Sequence, residues 1–526
     1  MQSVSSAFTT AAAAAANQPT FSALISWLKT YNSAAIFFQI GTSAINGPDI
    51  IPGGATVTLF DKYNYVEETA NVNSINIERV VSTIPIGVMS AQLDIEFNNT
   101  SKRYLPTYDA TIGNYIKPGR PIKVNMGFSG ENMPQFVGYS GRPRITLGNR
   151  ILSIHAFDAM EYINSTESSL GMQTDVMVHD LIAMLLQEVG FTSSQYVLDA
   201  SLQNAIHFVA PNGKKIGTLI RDLVESELGV FFIDEQGIAR FWNRYHFNSN
   251  PAAVGTLTYS NIVDLTFVDT PVINHVRVTT KPRTVMDSQP VWLLSGYITV
   301  PAGGTTEYIG SFSDQDGELP VINIQTPIES DEILTNSFYS PTTDTDGTSS
   351  AAGTVALDSF YTFGTSFAAT FSNAGSSEAY ITRMSVFGQP AKVTSKIVEE
   401  YKDQTSIDDN GLNPDDGGVV KEVSNDYLQD AATAQAYAYI LVTAYNQPRR
   451  QMLAPIFPNP AYQFGDVVNV TIEDTNETLK TVVLGNRIGM SPNSPISQSL
   501  TLEARDFTSY FQIGVSAING THSLAP

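Results

Sequence analysis

The residues of this 526-residue chain best suited to hold a transition metal, or to move a proton at neutral pH, are six histidines: His155, His179, His207, His246, His275 and His522. None stands in a His-Glu-x-x-His segment or four residues from another, the spacing that sets two imidazoles on one helical face around zinc. A zinc hydrolase is therefore not expected. Cysteine is absent, which removes thiol nucleophiles, Cys-ligated zinc and disulfides together. Carboxylates are plentiful, but a glycosidase needs two at a defined separation with one pKa raised, and linear order encodes neither. Asp314-Gln-Asp-Gly317 and Asp344-Thr-Asp-Gly347 alternate oxygen ligands before a turn glycine, as calcium loops do, without the further ligands of an EF-hand. Both are expected to be turns; calcium is the only cofactor they would suit. These residues predict a protein that is not an enzyme and has no resident cofactor.

Binding chemistry has one further candidate. Trp292, Tyr297, Tyr308 and Tyr361, with Phe360 and Phe367, lie in one Ser/Thr/Gly-rich stretch. Aromatic rings stack on the apolar C–H faces of sugars, so these residues are candidates for a glycan-binding face. They equally suit the core of a β-sandwich.

Charge narrows the partners. A formal net charge of −22 repels polyphosphate, and no Lys/Arg cluster offsets it, so sequence-specific nucleic-acid binding is not expected. An acidic wall does suit a conduit through which DNA slides without sticking. The first basic residue is Lys29, and the alanine run 11–16 is short and weakly apolar. Neither a secretory signal nor a transmembrane segment is expected, so the chain is expected to assemble in the cytoplasm that makes it.

Positioning such residues requires several folding units, because the chain exceeds the usual size of one domain. A mainly β protein with α+β parts is expected: two related β-barrel or sandwich domains, a small α/β domain and an inserted β-sandwich. Residues 1–36 read as a helical arm, with Leu24, Ile25 and Leu28 on one helical face. Residues 37–165 read as a first β-domain, through period-two runs at 55–60, 90–97, 121–127 and 151–157. In 166–289, Met177 to Val189 and Ile216 to Leu228 recur at helical spacing and end at Gly190 and Gly229, and a hairpin follows around Gly237. Arg283 and Arg383 bracket a stretch with no Lys or Arg, which marks 290–392 as the insert. Residues 393–449 read as an acidic linker and a helix, and 450–526 as a second β-domain.

Two internal similarities set this chain apart from a generic β protein. Phe38-Gln39-Ile40-Gly41-Thr-Ser43-Ala-Ile45-Asn46-Gly and Phe511-Gln512-Ile513-Gly514-Val-Ser516-Ala-Ile518-Asn519-Gly agree at nine of ten positions. Either each copy closes its own β-domain in the same way, or both occupy equivalent contacts in an assembly. The second similarity lies in spacing: Gly119-Arg-Pro-Ile-Lys-Val124 parallels Gly465-Asp-Val-Val-Asn-Val470, Phe136-Val-Gly138 parallels Val483-Leu-Gly485, and His155-Ala-Phe-Asp158 parallels Glu503-Ala-Arg-Asp506. Two quasi-equivalent domains per chain would let three chains present six similar faces.

This order of elements resembles the bacteriophage baseplate-hub, or tail-associated, protein family. It runs from an early β-domain through two helices and Ile216-Gly-Thr-Leu-Ile-Arg-Asp-Leu-Val-Glu-Ser-Glu-Leu-Gly-Val-Phe-Phe-Ile-Asp-Glu-Gln-Gly237 to a late β-domain with Gly465-Asp-Val-Val-Asn-Val470. The resemblance covers most of the chain outside the first 36 residues and the insert. It implies a virion tail-tip protein: a homotrimer closing the distal end of the tail tube, opening for DNA ejection, with tail tube, distal tail and tape-measure proteins as neighbours. Some members carry a lysozyme or peptidase domain, and no such segment is found here. Host attachment through the insert and a surface glycan is the alternative role.

Overall fold

The computed structural model describes residues 2, 4–13, 19–28, 63–81, 87–105, 107–109, 111–201, 205–247, 251–315, 317–393, 395–410, 418–491, 495–505, 510–511 and 523–524. The chain opens with helix α1 (Ser6–Ala13) and strand β1 (Thr20–Ile25). Helical spacing fails at 21–28. Ala23, Ile25 and Trp27 are buried while Leu28 is 46% exposed, which is period two. The competing force is an open strand edge: residues 20–25 pair antiparallel with 122–127, which satisfies backbone groups that a short isolated helix would satisfy poorly.

The first module continues with β2 (Val72–Val80), β3 (Gln92–Asn98), β4 (Pro121–Phe128), β5 (Glu131–Ser140), β6 (Arg144–Thr146) and β7 (Ile151–Phe157). Their inward residues, among them Ile77, Leu93, Ile95, Val124, Phe136 and Ile154, build one core.

An α/β unit follows. Helix α2 (Val178–Val189) buries Leu181, Ile182, Leu185 and Leu186 and ends in left-handed Gly190, φ 102°. Helix α3 (Ile216–Ser226) buries Leu219, Ile220, Leu223 and Val224 in the same core; each such side chain contributes roughly 1.5–3 kcal/mol. The second stop works differently from the first. Leu228 takes the left-handed conformation, φ 52°, and Gly229 is needed for space, since a Cβ there would lie 2.6 Å from the Trp242 carbonyl oxygen. Strands β8 (Val230–Ile233) and β9 (Ala239–Trp242) then form the hairpin. Asp234 Oδ1 accepts from the amides of Gln236 and Ile238 and holds the turn.

Strands β10 (Gly255–Leu257) and β11 (Thr266–Asp269) open the second module, and β12 (His275–Thr280) leads to the insert. The insert has two layers. Strand 379–393 pairs with 283–285, 289–293, 298–300, 321–322 and 338–342, and the opposite layer joins 305–311, 366–373 and 355–362. Phe312, Phe367, Phe371, Ile381 and Val386 fill the space between them. Strand pairing begins at Arg283, because β12 and β13 (Ile397–Lys402) are themselves paired and run straight into the insert.

The stretch expected as linker carries structure. Residues 404–410 are helical, and β14 (Val420–Ser424) lies parallel to β12. Helix α4 (Ala431–Tyr445), capped by Asp430 accepting from the Thr433 amide, packs Tyr437, Leu441 and Val442 on that sheet. The chain closes the second module with β15 (Arg450–Ile456), β16 (Val467–Ile472), β17 (Glu477–Met490) and β18 (Ser497–Ala504). Leu257, Met452, Val468, Val483, Leu500 and Leu502 form its core.

The two modules share one 14-stranded sheet with the order β11-β15-β18-β17-β2-β3-β7-β5-β4-β1, then the short strand 66–67, with β6, β10 and β16 off this path. Within it, β4-β5-β7-β3-β2 and β16-β17-β18-β15-β11 are the same antiparallel ladder. Only the outermost partner differs. β1 lies antiparallel to β4, whereas β10 lies parallel to β16.

Candidate assembly interface

The two ladders are anchored by one backbone device. Gly119 and Gly465 are both left-handed, φ 72° and 81°, and each donates its amide across the ladder, to Ser140 O at 2.6 Å and Val483 O at 2.8 Å. The return bonds run from the Ser140 amide to Arg120 O and from the Val483 amide to Asp466 O, at 2.8 and 2.9 Å. Ser140 and Val483 are thus equivalent.

Equivalence then propagates by register. Ser140 faces Ala156 and Val483 faces Leu502. Ala156 faces Leu93 as Leu502 faces Met452, and Leu93 faces Ile77 as Met452 faces Phe267. On the other side Arg144 faces Ser153 and Arg487 faces Ser499. Each arginine lies four residues beyond its anchor and each serine three before its own, so both ladders carry the same one-residue bulge.

The spacing parallels need a matching correction. Gly119 and Gly465 do correspond, but Phe136 falls four positions from Val483 and His155 two positions from Glu503. Both slips are even, so the residues matched by letter share a face without sharing a place.

The modules join where β2 pairs antiparallel with the second half of β17, from Ile75 opposite Met490 to Val80 opposite Gly485. Ile77 and Ile488, face to face, are 2% and 3% exposed, and Ile488 completes the first module's core. At the rim Arg487 Nη2 donates to Glu78 Oε1 at 2.7 Å. Behind the joint, buried Arg79 donates Nη1 to Ile233 O at 3.0 Å and stands 3.3 Å from Glu235 Oε1; Gln463 Nε2 donates to Glu235 Oε2 at 3.0 Å. Burial pushes the Glu235 carboxyl up, against the pull of Arg79. Both modules and the β8–β9 hairpin meet at this charge pair. Helix α1 clamps the far side, with Phe8 against Phe128, Met133 and Ala461.

The residues singled out in the sequence distribute as follows. Segments 38–47 and 512–520 lie outside the described residues, and so does His522; Phe511 sits in a two-residue strand parallel to Ser523–Leu524. The other histidines stand beside five separate carboxylates: His155 with Asp94, His179 with Asp180, His207 with Asp175, His246 with Asp199 and His275 with Glu400. Among the described residues no three metal-ligating side chains gather. Asp344 uses its oxygens within its own turn, accepting from the Thr348 amide and hydroxyl at 2.9 Å each; a hydrogen bond from Ser349, followed by these two, pulls its carboxyl down to about 2. In the other candidate loop Asp316 lies outside the described residues.

The aromatic set divides. Trp292 lies 5.5 Å from Tyr308 and 5.0 Å from buried Phe367, and Tyr308 shares a cross-strand row with Ala369 and Phe360 on the inner side of its sheet. Tyr361 is on the opposite, outer side in a row with Ala368 and Ile309; Tyr361 is 63% and Ile309 67% exposed. Tyr297 packs apart, edge-on to Tyr380.

Sequence reasoning did not find Ile77, Glu78, Ile488 and Arg487, the residues of the joint. The signal was present in the repeated dipeptide Arg144-Ile145 and Arg487-Ile488, two letters long and legible only once the ladders are aligned.

No protein-family model and no curated protein matches this chain. Among solved structures, it is similar to the 43 kDa tail protein of prophage MuSo2 from Shewanella oneidensis, at 8% identity and TM-score 0.45, over 84% of this chain and 95% of that one. It is similar to the tail protein from Neisseria meningitidis MC58, at 11% identity and TM-score 0.45, over 84% and 94%. A prophage tail protein from Listeria monocytogenes EGD-e follows at 10% identity and TM-score 0.39, over 84% and 93%. All three superpose only in part and at low identity.

Proposed function

We propose that this chain is a structural subunit of a phage tail tip, a baseplate hub protein in which three copies form a ring at the distal end of the tail tube. The observation that carries the reading is the repeated ladder: one polypeptide holds two copies of the same five-strand unit, joined edge to edge in a single sheet. A chain so built presents quasi-equivalent faces in pairs, and three such chains match a sixfold tube without six identical subunits. The work done is assembly and opening, for which no covalent chemistry is needed. A net charge of −22 suits a lumen that DNA crosses without adhering. The hub's neighbours in this reading are tail tube, distal tail and tape-measure proteins.

The test is the mass of purified protein across a concentration series, followed by electron-microscopic class averages. Three chains per particle with a sixfold-like ring of density is the expected result. A monomer at every concentration, in the presence as well as the absence of the cognate tube, ends the proposal.

A further inference from the structure

The joint inside the chain has a counterpart left open. Register maps Ile77 to Phe267 and Glu78 to Val268 on β11, and maps Arg487 to Arg144 and Ile488 to Ile145 on β6. In the closed joint those four positions of β2 and β17 face one another. In the single chain the outer edges of β11 and β6 pair with nothing among the described residues. What they display is what a strand joint buries: Phe267 is 44% and Val268 58% exposed, Leu147 just beyond β6 is 69% exposed, and Arg144 is exposed. An unpaired edge flanked by apolar side chains invites another strand.

We infer that β11 of one copy pairs antiparallel with β6 of a second copy, in the register of the closed joint: Phe267 opposite Ile145 and Val268 opposite Arg144. The occupant is a second copy because the complementary edge, β6, is carried by the same chain. Phe267 meets Ile145 as Ile77 meets Ile488. Val268 meets the Arg144 stem where Glu78 meets Arg487, so the inter-copy joint uses an apolar contact in place of an ion pair. Such a head-to-tail contact yields either a closed ring or an open fibre. This inference rests on the trimeric-ring reading, which selects closure, with joints alternating within and between chains.

The natural absence of cysteine makes the register directly testable. Facing residues in an antiparallel pair have Cα atoms roughly 4.5–5.5 Å apart, within the reach of a disulfide, roughly 4.4–6.8 Å. Val268→Cys and Arg144→Cys, prepared separately, mixed and oxidised, are expected to give a two-chain product that neither gives alone. The double variant is expected to give a covalent three-chain species. Val268→Cys mixed with Leu147→Cys, three positions out of register, is expected to give none. As an independent reading, Val268→Arg sets like charges face to face and is expected to weaken association roughly tenfold; Arg144→Glu in the same chain restores it. Both side chains are exposed, so circular dichroism of the variants should match the parent. Three chains by native mass without the 268–144 cross-link would overturn the joint and leave the ring standing. A monomer with no cross-link at any concentration would overturn both.

Discussion

The two modules solve the same backbone problem with different buried chemistry. In the first, the Glu68 carboxylate is wholly buried and accepts from Trp27 Nε1 at 2.9 Å, Arg103 Nη2 at 3.1 Å, Tyr104 Oη at 2.8 Å and Asn71 Nδ2 at 2.8 Å. This knot ties β1 and its following turn to the sheet. Among the described residues, the second module has no such knot at its outer strand. There the Glu503 carboxylate is buried, held between Arg449 at 3.2 Å and Arg505 at 2.9 Å, arginines still 24% and 16% exposed. The ladder is set by backbone pairing and by a left-handed glycine at the same place in each module, Gly119 and Gly465. Each module then surrounds its own buried carboxylate with different donors, which is how a duplicated unit keeps its shape while its letters diverge.

That contrast can be broken by removing each carboxylate. Glu68→Ala strands several buried donors at once and is expected to cost about 3–5 kcal/mol, read from denaturant unfolding. Glu503→Ala leaves arginines that reach water and should cost clearly less, about 1–3 kcal/mol on the same principle. Equal losses would mean that the two knots are not different in kind.

The anchor glycines sharpen the comparison. At Gly465 an added Cβ meets Trp242 Cη2 at 1.9 Å in addition to the left-handed φ, so Gly465→Ala should cost about 3 kcal/mol or more, combining overpacking with backbone strain. Gly119→Ala carries the backbone penalty of about 1–2 kcal/mol. A milder effect at Gly465 would show that Trp242 can move aside.

A pH difference comes next. Asp158 is fully buried beside the first module's ladder, accepting from the amides of Ala91 and Met160, and burial pushes its carboxyl up to about 6. The register places Ala504 at the equivalent position, with nothing to titrate. Because the folded chain holds this proton more tightly than the unfolded chain, the contribution is complete below about pH 4 and is lost as the pH rises through about 6. Its size is on the order of 2–3 kcal/mol. Asp158→Asn should flatten the pH–stability curve between those values; an unchanged slope would assign the titration elsewhere.

The smallest expected effect lies at the joint's rim. Glu78 and Arg487 are both about half exposed, so Arg487→Ala should lower stability by about 1 kcal/mol or less, and less still in high salt. A loss of several kcal/mol would mean that the ion pair, and not the Ile77–Ile488 contact, holds the modules together.

Local pattern carried part of this fold. Leu181, Ile182, Leu185 and Leu186, ended by Gly190, state helix α2 within a dozen letters, because a 3.6-residue period and a left-handed stop are properties of adjacent residues. Alternation announced β4 and β7 for the same reason. Residues 21–28 misled because Leu24, Ile25 and Leu28 fit a helical face, while the burial of Ala23, Ile25 and Trp27 is imposed by β4, about a hundred residues away.

Composition and period along the chain were enough for the mainly β character and for the helices at Val178–Val189 and Ile216–Ser226. The tertiary structure alone decided which strand lies beside which: Glu78 and Arg487, separated by 409 residues, face one another because backbone hydrogen bonds align strands by geometry. Backbone amides are the same in every residue, so that alignment leaves almost no mark in the letters.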